Sequence, residues 1–371
     1  MRVAVDCRYI RERPSGIGTY VQALVDRMPA LAPLDEFVFW AHPLAPRPLS
    51  AASNALEVTI RTAPNSPLST LWPRWHTTFD GLDLFHNPQN ILPRGVTCAS
   101  VVTIQDVLAI DFPHLHRRGL DRFKGLYYPH AVRRALRNAT RLIVTTAATA
   151  DRVLAFEPGA LPRLRVIPLA PDSCFKPPDD PDAARRRASS LIGVDAPYML
   201  VVGENSATKR HDIAVRAFAA VLPPPWRLVL LQRLGTRGPL RRLARGLGLT
   251  DRIVWLRNLP RDDVAALVQG ADALIQPSIY EGFGLPVVEA FACGCPVVAS
   301  DIPALREVAG GGAMLVPPAD VNRLAAALCE LVGSPDLRRS LAERGLRRAR
   351  DFSWDRTARE TIAVYHETAT R

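Results

Sequence analysis

Glu281 and Glu289 close the two ends of the segment Glu281-Gly282-Phe283-Gly284-Leu285-Pro286-Val287-Val288-Glu289. A carboxylate is an acceptor of hydrogen bonds, suited to the neutral hydroxyls of a sugar. Between the two carboxylates the glycines loosen a turn, and Pro286 takes the first-turn position of a helix expected over 285–293. The apolar run Ala273-Leu274-Ile275 before them has the pattern of a buried parallel strand. The turn then aims the backbone N–H groups of Phe283, Gly284 and Leu285 at whatever sits beyond the strand ends. Donors at a helix N-terminus attract anionic oxygens. Phosphate donors beside hydroxyl acceptors describe a nucleotide-sugar pocket. On its own Glu289 would read as a solvated helix residue, but Val287, Val288, Ala290, Phe291 and Ala292 around it argue against a solvated face.

Other chemically capable residues also fall just after apolar runs. Gly203, Lys209 and Arg210 follow Val201-Val202, in a chain with only three lysines, at 124, 176 and 209. A lysine retained where arginine is otherwise used suggests a site that wants a compact ammonium. Gly16 and Gly18, in Pro14-Ser15-Gly16-Ile17-Gly18-Thr19-Tyr20, open a helix after the first strand, where glycine lets backbone N–H groups approach phosphate or sugar. No third glycine follows at dinucleotide spacing, so NAD binding is not read. Gln105 and Asp106 end the run Val101-Val102-Thr103-Ile104, and His86 ends another at Leu84-Phe85. The histidine has two readings, a satisfied structural group or a functional one. Asp180-Pro181-Asp182 is the wrong context for a metal-binding Asp-x-Asp, so no metal ligand and no cofactor are expected.

The elements that must position these residues alternate from end to end. Strands are expected over 2–6, 37–41, 57–62, 83–86, 100–104, 141–146 and 164–168, with helices over 18–29, 119–137 and 147–156. A second series follows, with strands over 198–202, 227–232, 253–256, 272–276, 296–299 and 313–316. Its helices are expected over 211–221, 239–247, 262–270, 285–293, 302–308 and 321–333. Strand and helix in alternation make parallel sheets with helices on both faces, and 371 residues are enough for two cores. Between the series, Phe175-Lys176-Pro177-Pro178-Asp179-Asp180-Pro181-Asp182 reads as an irregular linker. Open α/β sheets bind ligands beyond the carboxyl ends of their strands, so the site is expected in a cleft where the two sheets face each other.

Composition narrows the partners. With 48% hydrophobic and 22% charged residues the chain is a folded protein rather than a disordered one. No leader pattern precedes the first strand and no run is long and apolar enough to span a bilayer, so a cytoplasmic chain is expected. Six scattered cysteines form neither a disulfide framework nor a metal-ligand spacing. The net charge of +11 invites nucleic acid, but no recognised motif or aromatic stacking platform accompanies it. From His114 to Arg141 there are eight Lys and Arg against one acid, Asp121, with Leu120, Phe123, Leu126, Tyr127 and Leu136 interleaved. Such a stretch has two readings, peripheral contact with an anionic membrane surface or a solvated helix over the sheet.

The Glu-x7-Glu arrangement around Gly-Phe-Gly-Leu-Pro resembles the signature of the retaining GT-B glycosyltransferases of glycosyltransferase family 4. Gly294-Cys295-Pro296-Val297-Val298-Ala299-Ser300 and Leu315-Val316-Pro317-Pro318 are similar to that family as well. The resemblance implies two doubly wound Rossmann-like domains, 1–175 plus 355–371 on the acceptor side and 176–354 binding the nucleotide sugar. It also implies a last helix, begun at Ser353-Trp354-Asp355, that crosses back to the first domain. It places Glu289 on the ribose, Glu281 and Gly282 through Leu285 on the sugar and phosphate, and Gly16 and Gly18 across from the diphosphate. Lys209 and Arg210 would grip the diphosphate, with Thr208 standing where family members carry arginine. Gln105 replaces the family's histidine at the donor, and His86 and Asp106 fall near acceptor contacts.

The implied reaction is transfer of a hexose, first of all mannose from GDP-mannose, to a glycan or lipid-linked acceptor in bacterial surface polysaccharide synthesis, without a metal. The alternatives are a nucleotide-sugar epimerase, which needs no acceptor, and a phosphorylase, for which the three lysines leave little room. A catalytically degenerate nucleotide-sugar-binding protein is the non-enzyme alternative, suggested by Thr208 and Gln105.

Overall fold

The first apolar run, Val3-Ala4-Val5, is buried at the middle of a parallel sheet as strand β1 (Arg2–Asp6). The computed structural model describes residues 1–12, 15–71, 78–112, 122–232 and 238–369. Beside β1 lie β2 (Glu36–Ala41), β3 (Ala55–Thr59), β4 (Leu84–Asn87), β5 (Ala99–Ile104), β6 (Arg141–Val144) and β7 (Leu164–Val166), in the order β3-β2-β1-β4-β5-β6-β7. A second sheet contains β8 (Tyr198–Val202), β9 (Arg227–Gln232), β10 (Ile253–Arg257), β11 (Ala273–Gln276), β12 (Val297–Ser300) and β13 (Met314–Val316). Its order is β10-β9-β8-β11-β12-β13. Both sheets are parallel and doubly wound, and the strand order reverses between β1 and β4 and between β8 and β11. Central strands are apolar without alternation because helices cover both faces.

Two compact units result, Met1–Leu169 with Trp354–Arg371, and Ala170–Ser353. The expected strands all form, with ends moved by a few residues. The region read as irregular linker does not stay irregular to its end. Asp180 accepts hydrogen bonds from the N–H groups of Asp182 and Ala183, Pro181 fills the first helical turn, and a helix runs Pro181–Ile192. It stops at Gly193, whose left-handed φ of +75° suits glycine. These cap signals were present in the sequence and the proline-rich composition masked them. A second long helix, Pro335–Ala349, was not expected; Ser334 caps it, and its mostly polar residues hide a narrow contact face that includes Leu341 and Gly345. Gly345 is needed there because a Cβ would come 2.7 Å from the Phe291 ring.

The closing helix, Trp354–Ala369, belongs to the first unit. Trp354, Ala358, Ile362 and Tyr365 recur at helical spacing and are buried. The polar face is tied down as well, by Arg27 to Asp355 at 2.7 Å and Asp35 to His366 at 2.8 Å. Among the described residues no helix is long and apolar enough to cross a membrane.

Candidate functional site

In the second unit the polar groups converge where the strand order reverses. The loop after β8 carries Lys209 and the loop after β11 carries Glu281. The two loops are stitched together by the N–H of Ile279, which donates to the Thr208 carbonyl at 2.8 Å. Thr208 itself is buried, its hydroxyl 3.0 Å from that of Ser206. This position packs the loop. The stitch sets the Lys209 ammonium 2.6 Å from both carboxylate oxygens of Glu281. Oε1 of Glu281 also accepts from Gln276 Nε2 and Ser278 Oγ, each at 2.7 Å. Glu281 was expected to meet sugar hydroxyls; its carboxylate is 7% exposed, with Oε1 accepting from three protein donors and Oε2 from Lys209. Lys209 keeps an opening to solvent, with 25% of its side chain exposed.

Eight residues along the chain, Glu289 heads a separate ion pair. Its Oε1 accepts from Arg261 Nη2 at 2.8 Å, and Arg261 also binds Asp172 through Nε at 2.8 Å and Nη2 at 2.5 Å. The guanidinium lies over the Phe175 ring, 4.7 Å from its centre. Burial pushes the Glu289 carboxyl above its ordinary value, and Arg261 only partly offsets this because Asp172 adds a second negative charge nearby. The arginine has the opposite balance: burial weakens its charge, but two carboxylates outweigh that and hold its pKa up. Arg261, Asp172, Gln276 and Ser278 were not anticipated. For Arg261 a signal existed: it opens the helix Arg261–Gln269, and a cation at a helix N-terminus opposes the dipole unless something else holds it.

The loop between the glutamates forms as expected. Gly284 caps the helix Leu285–Ala292 at a left-handed φ of +106°, and a Cβ there would meet Leu305 at 2.6 Å. Phe283 is buried edge-on against Phe352, so its side chain packs while its backbone lines the turn; Gly282 and Leu285 are half-buried. Two expectations fail. Arg210 does not join Lys209, because Nε and Nη2 pair with both oxygens of Asp212 at 2.9 Å. Gly203 does not present its N–H to a ligand, since that group donates to the Leu231 carbonyl at 3.0 Å and extends the sheet. Next to Lys209, His211 is buried with Nδ1 3.0 Å from Gln232 Nε2, and burial, helped by Lys209, lowers its pKa to about 4.

The first unit departs further from expectation. Gly18 lies inside the helix Gly16–Val25, its N–H donates to Ser15 Oγ at 3.0 Å, and a Cβ would be 2.7 Å from the Tyr9 carbonyl. It is a close-packing glycine with its donor spent on a cap. Gly16 is exposed at the first turn, and Pro14 lies outside the described residues. The Gln105 amide donates to the Pro88 carbonyl at 3.0 Å and Asp106 caps the N–H of Leu108, so both are held by neighbouring loops.

His86 is fully buried, with Nδ1 2.5 Å from the Tyr365 hydroxyl and Nε2 2.8 Å from Thr103 Oγ1. It is no acceptor contact; it ties β4 to β5 and to the closing helix. The loops after β1 and β4 meet instead through Tyr9, whose hydroxyl sits between the side-chain carbonyls of Asn65 and Gln89. In the basic stretch, 114–121 lie outside the described residues. Arg134 donates to the Leu92 and Pro93 carbonyls and Arg137 pairs with Glu157 at 2.9 Å, so these cations serve the fold.

Burial lowers the His86 pKa to about 3. Above pH ~6.5 the imidazole is neutral in folded and unfolded chains alike. As pH falls below that value the unfolded chain takes up the proton first, so this group costs stability, about 1.4 kcal/mol per pH unit until the folded histidine protonates. His86→Gln should therefore flatten the acid slope of the first domain's urea midpoint between pH 6 and 4 (roughly the window set by these values). An unchanged slope would place the acid sensitivity elsewhere.

Among the described residues no group of three or more His, Cys, Asp or Glu is arranged to hold a metal ion. Residues 182–348 match the family described as glycosyl transferases group 1. The MMP alpha-(1->4)-mannosyltransferase of Mycolicibacterium hassiacum is 35% identical over 244 residues, covering 64% of this chain and 57% of that protein. The chain thus spans little more than half the length of that relative. Sucrose-phosphate synthase from Thermosynechococcus elongatus superposes with a TM-score of 0.76 at 20% identity, over 99% of this chain and 98% of that one. The Anabaena protein Alr3699/HepE, solved in complex with UDP and glucose, gives 0.74 at 17% identity over 99% of both chains. At these identities the likeness is one of fold. Both the sheet order of each unit and the family match over the second lead to one conclusion: this is a chain of GT-B fold whose residues 182–348 match the glycosyl transferases group 1 family.

Proposed function

We propose that the protein is a retaining glycosyltransferase that moves a hexose from a nucleoside diphosphate sugar to a glycan or lipid-linked acceptor. The observation that carries this reading is the Lys209 ammonium, fixed at 2.6 Å from Glu281 beside the N-terminus of the helix Leu285–Ala292. An immobilised cation and a helix N-terminus together suit a diphosphate leaving group. Glu289, with one oxygen on Arg261, offers a carboxylate for the ribose hydroxyls. In the reaction the acceptor oxygen bonds to the anomeric carbon on the face from which the phosphate oxygen departs. The departing oxygen takes the acceptor's proton, and no further base is needed. Mannose from GDP-mannose is the first candidate donor, supported by the mannosyltransferase similarity; UDP-hexose is second, since the HepE structure holds UDP and glucose. A bacterial surface polysaccharide is the acceptor class proposed, at the inner face of the cell membrane.

Titration calorimetry with GDP, UDP, dTDP and their sugar conjugates, in EDTA, tests the reading. One nucleotide should bind without added metal, and Glu289→Gln should weaken it by roughly tenfold or more, the worth of a hydrogen bond to a charged group. Absence of binding by all of them would overturn the proposal in favour of a degenerate module.

A further inference from the structure

Glu281 receives more donors than an ion pair needs. Gln276, at the end of β11, and Ser278 are 1% and 0% exposed, so neither reaches a substrate. Both nevertheless direct a donor at Oε1 of Glu281, and Gln276 Nε2 lies 3.1 Å from Ser278 Oγ, closing a three-membered ring of side chains. The arrangement comes with a local cost. With Nε2 turned to the carboxylate, Gln276 Oε1 is buried without a hydrogen-bond partner among the described residues. Turning the amide over would set its oxygen against the carboxylate.

We propose that Gln276 and Ser278 are positioning residues for the Lys209 ammonium, acting through Glu281. The inference rests on the nucleoside diphosphate reading given above. A lysine has four rotatable bonds and, paired with a lone surface carboxylate, would wander with it. Here two further donors hold the carboxylate through Oε1, so the ammonium is presented in one direction. Its remaining N–H bond is left for a phosphate oxygen.

The test needs no acceptor. Affinities for GDP and UDP, and for guanosine and uridine, are measured for the wild-type protein, Gln276→Leu, Ser278→Ala, the double variant and Lys209→Ala. For the double variant, diphosphate affinity should fall about tenfold while nucleoside affinity is unchanged, one charge-assisted contact having been loosened. The melting temperature of Gln276→Leu should hold or rise, and Ser278→Thr should behave as wild type. Loss of diphosphate affinity in Lys209→Ala with wild-type behaviour of the double variant overturns this proposal alone. Wild-type affinity in Lys209→Ala as well removes the lysine from the diphosphate site, and the functional reading goes with it.

Discussion

Lys209→Ala is expected to lower kcat for glycosyl transfer by roughly 100-fold or more, the usual cost of removing a preorganised charge from a developing anion. The ammonium does not wait on the surface to be recruited. The stitch between Ile279 and Thr208 and the two contacts with Glu281 fix it before any ligand arrives. On the proposed reading a fixed charge would stabilise a departing diphosphate without reorganisation during the reaction, so the effect should fall on kcat more than on donor KM. Lys209→Arg should not restore the rate, because a guanidinium paired with both Glu281 oxygens is longer and planar and spreads its charge away from the point a compact ammonium fills. Steady-state kinetics with the donor found by titration decides this, and wild-type turnover in the alanine variant would remove the lysine from the mechanism.

The largest effect on stability is expected from Arg261→Leu. Its removal leaves Glu289, 6% exposed, buried beside Asp172 with no counter-charge. Breaking a buried pair from one side costs about 3–5 kcal/mol, and the lower figure applies because Arg261 is itself partly open to solvent. The sign with pH follows from the raised carboxyl. A folded-state pKa above the unfolded one means that the folded domain binds the proton more tightly, so the deficit of the variant should shrink as pH falls through the folded pKa of Glu289. Adding Glu289→Gln to Arg261→Leu should recover much of the loss, since the stranded charge is gone. Urea unfolding of the four proteins of this cycle, at pH 8 and pH 5, measures both. Equal losses in the single and double variants would mean that Arg261 acts through its packing on Phe175 and not through its charge.

Much of this was legible in the sequence because the signals are local. An apolar run between turn residues is a strand wherever it lies, and alternation with amphipathic helices forces parallel pairing. That is why β1 and β8 appear with the expected ends, and why the helix Leu285–Ala292 begins after its two glycines. Cap chemistry is local too, yet Asp180-Pro181 was passed over: a proline at the first turn of a helix looks like proline in a linker until the residues after it are weighed. The closing helix was read from the family resemblance at Ser353-Trp354-Asp355, and the structure adds the burial of Trp354, Ala358, Ile362 and Tyr365 at helical spacing.

The sites were legible only in part. Spacing along the chain identifies the residues near a strand end, but it does not assign partners to them. His86 and Gly18 carry the residue types of a site and serve the fold, one as a neutral bridge to Tyr365, the other as a gap for the Tyr9 carbonyl. Arg210 follows Lys209 directly, yet its backbone lies in the left-handed region at φ +46° and its guanidinium turns to Asp212. Arg261 and Asp172 come from outside the Glu281–Glu289 segment altogether, 28 residues before Glu289 and 89 before Arg261 respectively.

The sequence by itself determined two doubly wound sheets, the helix that carries Glu289 and the presence of a lysine after the first strand of the second sheet. These depend on hydrophobic period, turn residues and helix caps, which act over a few residues. Only the tertiary structure decided which cation meets which carboxylate. Those pairings depend on loops brought together where the strand order reverses, and a side chain's partner there is set by hydrogen bonds such as Ile279 to Thr208 that join residues 71 positions apart.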